Sequence, residues 1–291
     1  MPVSEAYQSS RYNNGNVKPV QTLLEELGRP SESRLLLVTC QGFGVSHAAN
    51  QGVLNALRGG IGTSAGLAMA CPWARAAAQS VSGEDVGVSL TLNAEYPAYR
   101  WGPLTQAPTL LDGDGGFPRT TEDLWEHADV TEVRRECQAQ LERAMHWGID
   151  VTHLGDHLDA LTLRPEFFDV YLDLAEQFGL PIRLPGAALE ARVAFPLRAL
   201  ADEAHILHAD FVLRPRTRSQ LLDGLTTSPP GVTEVVLSPA VDTPELRAYA
   251  PDWAERLADA QLVAGNSDLA LALQDFERIG YRMLRDCQRR L

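Results

Sequence analysis

His153, Asp156, His157 and Asp159 fall within the short stretch "HLGDHLD". Imidazoles and carboxylates so grouped are metal-ligating types, and a metal held there could polarise a carbonyl and activate water. In an extended strand residues 153, 155 and 157 share one side. His153 and His157 could then converge while Asp156 points away, unless the strand has already ended. The competing reading makes His153 a hydrogen-bonded wall residue and His157 a residue left at a barrel mouth. Cys40 with His157 is a second pairing, because a thiolate beside an imidazole attacks acyl carbons. In "YRWGPL", Arg100 and Trp101 suit hydrogen bonding to sugar hydroxyls and stacking on a sugar ring. The equal alternative is that Trp101 packs its loop onto the body. "LDGDGG" (Leu111 to Gly116) lacks the spaced oxygen ligands and final Glu of a calcium loop, and reads as a turn.

The elements that must position these residues alternate in type. "RLLLVT" is a buried strand, and Ser46 caps a helix over "HAANQGVLNALR" that stops at Gly59-Gly60. A strand at "VGVSLTLN" (Val86 to Asn93) leads into a long loop reaching Arg119. Val133, Cys137, Leu141 and Met145 recur every fourth residue on one helix face. The strand "DVTHLG", a helix opened by Pro165 and closed by Gly179, and the extended "PIRLP" follow, then "DFVLR", "TEVVLS" and a last strand near "RIGY". Repeated strand-helix units predict a parallel sheet closed into a barrel, with its active face at the strands' C-terminal ends. In this sequence those ends are Cys40 to Phe43, Ser89 to Asn93, His153 to His157, Arg214 and Ser238. At the first of them most such enzymes place an acid, and here stand Gln41 and Gly42.

The 291 residues, 45% of them apolar, are read as a polar extension over 1–20 and a single barrel domain over 21–291. A net charge of -13 opposes binding to phosphate backbones or anionic lipid, so neither nucleic acid nor membrane is expected as a partner. Neither an apolar leader region nor a spanning run is present, which points to the cytosol. Four cysteines without CxxC spacing signal neither a disulfide framework nor a thiolate zinc site.

"TLLEELGRPSESRLLLVT", "GFGVSHAANQGVLNAL", "YRWGPL", "LLDGDGGFPRT", "GIDVTHL", "RPEFFDVYLDLAEQFGLPIRLP" and "VDTPELRAYAPDW" together resemble the YdjC-like carbohydrate deacetylases, from about residue 21 to the C-terminus. The resemblance implies an α/β, TIM-barrel-like (β/α) fold and metal-dependent removal of an acetyl group from an N-acetylated sugar. It also implies an Asn-Ala-Asp-Asp-Phe-Gly pattern at the first strand end, which reads Thr39-Cys40-Gln41-Gly42-Phe43-Gly44 here. Gln41 takes no proton at neutral pH, and Gly42 has no side chain to coordinate with. The family's metal-binding His falls on Ser89, its Asp before the second His on Gly155, and a candidate general-acid His on Ser238. His157 is the one retained ligand. Cys40 matches a family Ala, which suggests packing, and His47 matches a motif position supporting the loop.

The leading expectation is a degenerate homologue, a pseudoenzyme that keeps a sugar- or metabolite-sized pocket. Its pocket candidates are Gln41, His47, Ser89, Arg100, Trp101, His153, Asp156, His157 and Ser238, with no metal or other cofactor. One alternative is an active deacetylase with a site rebuilt around His153, Asp156, His157 and Asp159, using zinc or magnesium. The other is a structural or interaction protein with a filled pocket. A small carbohydrate or metabolite, a second copy of the chain and an active homologue are the expected partners. Gly42→Asp with Ser89→His is expected to return two ligands beside His157 and create zinc binding.

Overall fold

A computed structural model describes residues 22–193, 195–264 and 267–291. The extension expected over 1–20 lies outside them. "RLLLVTCQGF" forms β1 (Arg34–Phe43), with Leu35 to Cys40 wholly buried. A strand buried on both faces belongs in the middle of a parallel sheet under helices. The others are β2 (Ser64–Leu67), β3 (Val86–Leu90), β4 (Leu154–Asp156), β5 (Phe211–Leu213), β6 (Gly231–Leu237) and β7 (Glu277–Arg278). They form one seven-stranded sheet in the order β4-β3-β2-β1-β6-β5, with β7 beside β1, and these pairings are parallel.

The sheet curls into part of a barrel, and an extended run lies between its two end strands. The run 181–185 adjoins β4, where the Leu154 N–H donates to the Pro181 carbonyl (3.0 Å) and the Arg183 N–H to that of Leu154 (2.9 Å). The Ile182 N–H donates to Leu207 (2.9 Å), just ahead of β5. The architecture is an α/β barrel type, with helices outside.

Alternation along β1 separates two cores. Leu36, Val38 and Cys40 face the helices, while Leu35 and Leu37 join Val232 and Tyr281 at the barrel's N-terminal end. The C-terminal helix (Tyr281–Gln288) closes that end. The Tyr281 N–H donates to Ser64 Oγ (3.2 Å) and the Arg282 N–H to Asp85 Oδ2 (2.7 Å).

Several boundaries differ from the sequence reading. β2 lies in "SAGL", a Ser, Ala and Gly run without apolar patterning, and takes its place from β1 and β3 on either side. β3 stops at Leu90, because the Thr91 N–H turns to Gln140 Oε1 (2.9 Å). β4 starts at Leu154, and the last strand precedes "RIGY", overlapping it only at Arg278.

Candidate binding site at the barrel mouth

β1 delivers its last residues to the barrel's C-terminal end. Gly42 has φ +86°, a backbone conformation that side-chain-bearing residues rarely adopt. Its carbonyl accepts from the Val45 N–H (3.1 Å), and Ser46 Oγ then accepts from the Ala49 N–H (3.1 Å) to start the helix His47–Gly59. Asn50 Oδ1 accepts from the Gly44 N–H (2.7 Å), locking strand end to helix. Gln41 is half-buried on the inward-facing parity of β1, two residues above Thr39.

Below this mouth the interior is polar. Thr39 Oγ1 donates to Glu234 Oε1 (2.6 Å), and Arg183 Nε donates to the same oxygen (2.6 Å), with both charged side chains almost wholly buried. Arg183 reaches across Gly155: a Cβ built on that glycine would stand 3.5 Å from Arg183 Nη1 and 3.8 Å from Ser89 Cα. The glycine thus lies in van der Waals contact with the guanidinium, and a side chain longer than a methyl group would have to share its space.

A second guanidinium enters from the helix Trp253–Val263. Arg256 Nη1 would lie 3.2 Å from a Cβ on Gly42. Its Nε donates to Asp252 Oδ2 (2.9 Å), and Nη2 donates to the Tyr96 hydroxyl. Beside it, His157 Nε2 and Glu95 Oε2 are 3.0 Å apart. Burial alone would raise the Glu95 carboxyl, but the charge and hydrogen bond of His157 hold it below the usual carboxylate range. Burial opposes charge on His157, yet Glu95 keeps its imidazole above the ordinary value. The two form an ion pair.

The remaining predicted residues separate. His153 is wholly buried one layer lower, stacked on Tyr281 (4.1 Å between centroids), and burial and Arg183 hold its imidazole well below its ordinary value. It does not meet His157. Asp156 faces outward, where Oδ2 accepts from the Leu161 and Thr162 N–H groups and the Thr162 hydroxyl (2.8–3.0 Å). Burial, then Asp159, push its carboxyl up to about 7. Asp159 takes Arg214 Nη2 at 3.2 Å. The rebuilt cluster is therefore corrected: His153 stacks on Tyr281 a layer below His157, and Asp156 and Asp159 are held by other partners.

Cys40 points into the helix layer, where burial and then Asp259 push its thiol up to about 12, so it makes no pair with His157. Arg100 is spent on its own loop, donating to the Ala94 and Phe117 carbonyls and pairing with Asp112. Trp101 is 5% exposed, and its Nε1 donates to the Asn93 carbonyl (2.8 Å). These contacts correct the sugar-stacking reading: both side chains build the loop instead. His47 is exposed, edge-on to Trp73 at 5.2 Å. The Ser238 N–H donates to Asp259 Oδ2 (2.7 Å), and Ser89 is buried against Gly66.

A divalent cation does not fit this donor set. Gly42 and Gly155 offer no ligand, Ser89 only a neutral hydroxyl, and His157 is engaged by Glu95. Fixed positive charge stands beside both glycines, from Arg256 at Gly42 and Arg183 at Gly155. Among the described residues no group of three or more His, Cys, Asp or Glu is arranged to hold a metal.

The family model of the YdjC-like protein matches residues 35–271. The chain belongs to the YdjC-like family. A carbohydrate deacetylase of Thermus thermophilus is 35% identical over 272 residues, covering 91% of this chain and 98% of the relative. Another from Geobacillus stearothermophilus is 31% identical, covering 82% and 96%. A crystal structure from Enterococcus faecalis V583, described as a cellobiose-phosphate cleavage protein, superposes with a TM-score of 0.77. It has 22% identity and covers 87% of this chain and 99% of that one. That likeness supports the barrel fold of this YdjC-like protein.

Sequence reasoning missed Glu95, Arg183, Glu234 and Arg256. Two had a local signal: Arg183 in "PIRLP" and Glu234 in "TEVVL" are lone charges in buried extended runs, which pair when buried. Arg256, far along the chain, has none.

Proposed function

We propose that this YdjC-like protein is a non-hydrolytic member of its family that binds a sugar- or metabolite-sized ligand at the barrel mouth, alone or beside an active homologue. The observation carrying this reading is the fixed guanidinium at each of two emptied acid positions, Arg256 over Gly42 and Arg183 over Gly155. Gln41 takes no proton from water, and the donors present do not hold a metal that would activate one. Gln41, Gly42, Glu95 and His157 are only half-buried, which favours ligand access over a filled mouth. The test exposes purified protein to zinc and magnesium, removes free ion, and measures bound metal and acetate release from N-acetylated chito-oligosaccharides. Neither stoichiometric metal nor release is expected. Metal-dependent turnover lost in chelator overturns the proposal.

A further inference from the structure

We infer that the barrel interior binds one water molecule, which donates to His153 Nε2 and to Glu234 Oε2 and accepts from the Tyr281 hydroxyl. This site lies below the mouth and holds whatever the mouth binds.

All three side chains are wholly buried, and among the described residues none of the three atoms has a hydrogen-bond partner. A closed ring of contacts brings them together. His153 stacks on Tyr281 with the ring planes 24° apart, and the Glu234 carboxylate lies within reach of the Tyr281 hydroxyl without making a hydrogen bond of sound geometry. Arg183 binds Glu234 at 2.6 Å, and its charge acts in turn on His153. Buried polar atoms left unpaired are costly, and internal water is their usual partner.

The neighbours fix which atom donates and which accepts. The Thr152 hydroxyl gives its proton to Asp85 Oδ1 (2.6 Å), so its oxygen takes the His153 Nδ1–H (3.0 Å) and leaves Nε2 a bare acceptor. Gly87 lets the ring lie in this place, since a Cβ there would stand 2.4 Å from Nδ1. On Glu234, Oε1 already takes Thr39 and Arg183, and Oε2 is the open acceptor. Burial, then the Glu234 charge, hold the Tyr281 hydroxyl well above its ordinary value, so it keeps a proton to donate. Two acceptors and one donor are the complement of a single water. A cation would unbalance the charge of the Arg183–Glu234 pair, and water adds none. With this water, hydrogen bonds run unbroken from Asp85 at the N-terminal end to Arg183 beneath the mouth.

The test is a high-resolution crystal structure of the full chain, joined to nitrogen and proton NMR in solution at about pH 8, where Asp85 is ionised. Density for one water is expected at about 2.7–3.2 Å from all three atoms. In solution His153 should carry its proton on Nδ1, and the Tyr281 hydroxyl proton, assigned by its loss in Tyr281→Phe, should show a nuclear Overhauser contact to water. If Tyr281→Phe misfolds, the tautomer of His153 in the parent still decides, because a proton on Nε2 overturns the proposal. A direct bond from the Tyr281 hydroxyl to Glu234 or His153 with no density between them also overturns it, as does density that refines as an ion.

Discussion

Arg256 stands over Gly42, with Nη1 3.2 Å from the position of the missing Cβ. An Asp placed there meets a cation instead of an empty coordination site, on a backbone with φ +86°. The structure thus revises the expectation that Gly42→Asp with Ser89→His creates zinc binding. The double variant is expected to bind zinc no better than the parent, because the new carboxylate pairs with Arg256. Adding Arg256→Ala should bring metal binding into view. Calorimetry with zinc on the folded variants checks both steps, and tight zinc binding with Arg256 intact would contradict the placement.

The buried pair of Arg183 and Glu234 makes a second prediction. Arg183→Met leaves a carboxylate in the barrel interior without its partner, at a cost of about 3–5 kcal/mol. Arg183→Met with Glu234→Gln should recover much of that loss. Urea unfolding measures the cycle, and a single variant as stable as the parent would show that the pair carries no such cost.

What was legible in the sequence follows from the range of each interaction. β1, the helix capped by Ser46 and the helix from Pro165 to Phe178 are signalled by their own runs and end residues. Strand parity also separated Asp156 from its neighbours before any coordinates. β2 was invisible, since "SAGL" has no pattern apart from the strands beside it. The residue types at Gln41, Gly42, Ser89 and Ser238 could be read locally. What stands beside Gly42 could not, because Arg256 lies more than two hundred residues from it in the chain.

Asp85 gives a pH prediction at the opposite end of the barrel. Its Oδ1 accepts from the Thr152 hydroxyl (2.6 Å) and Oδ2 from the Arg282 N–H (2.7 Å), yet burial outweighs these bonds and raises its carboxyl above the usual range. The unfolded chain therefore loses this proton first as pH rises past about 4. This group's contribution to stability falls above that pH until the folded carboxyl has also ionised. Relative to Asp85→Asn, the parent should lose stability as pH rises above about 4. Denaturant unfolding across that range checks the sign, and a gap that is flat or runs the other way would refute it.

Glu136, wholly buried on the helix Val130–His146, secures the long loop that roofs the mouth. Its carboxylate accepts from the Leu104 N–H (3.0 Å), the Thr105 N–H (2.9 Å), the Thr105 hydroxyl (2.8 Å) and Gln140 Nε2 (2.9 Å). Glu136→Leu removes every one of these acceptors, and an unpaired buried donor costs about 1–3 kcal/mol. The loop should then detach before the barrel does, because its backbone donors can regain partners in water. Limited proteolysis should cut this variant within residues 100–119 while the parent resists, with little change in the global unfolding midpoint. Glu136→Gln keeps one acceptor oxygen and should fall between the two. If Glu136→Leu unfolds as a whole with no prior cleavage in the loop, then the loop and barrel form one cooperative unit and the roof of the mouth is no separate element.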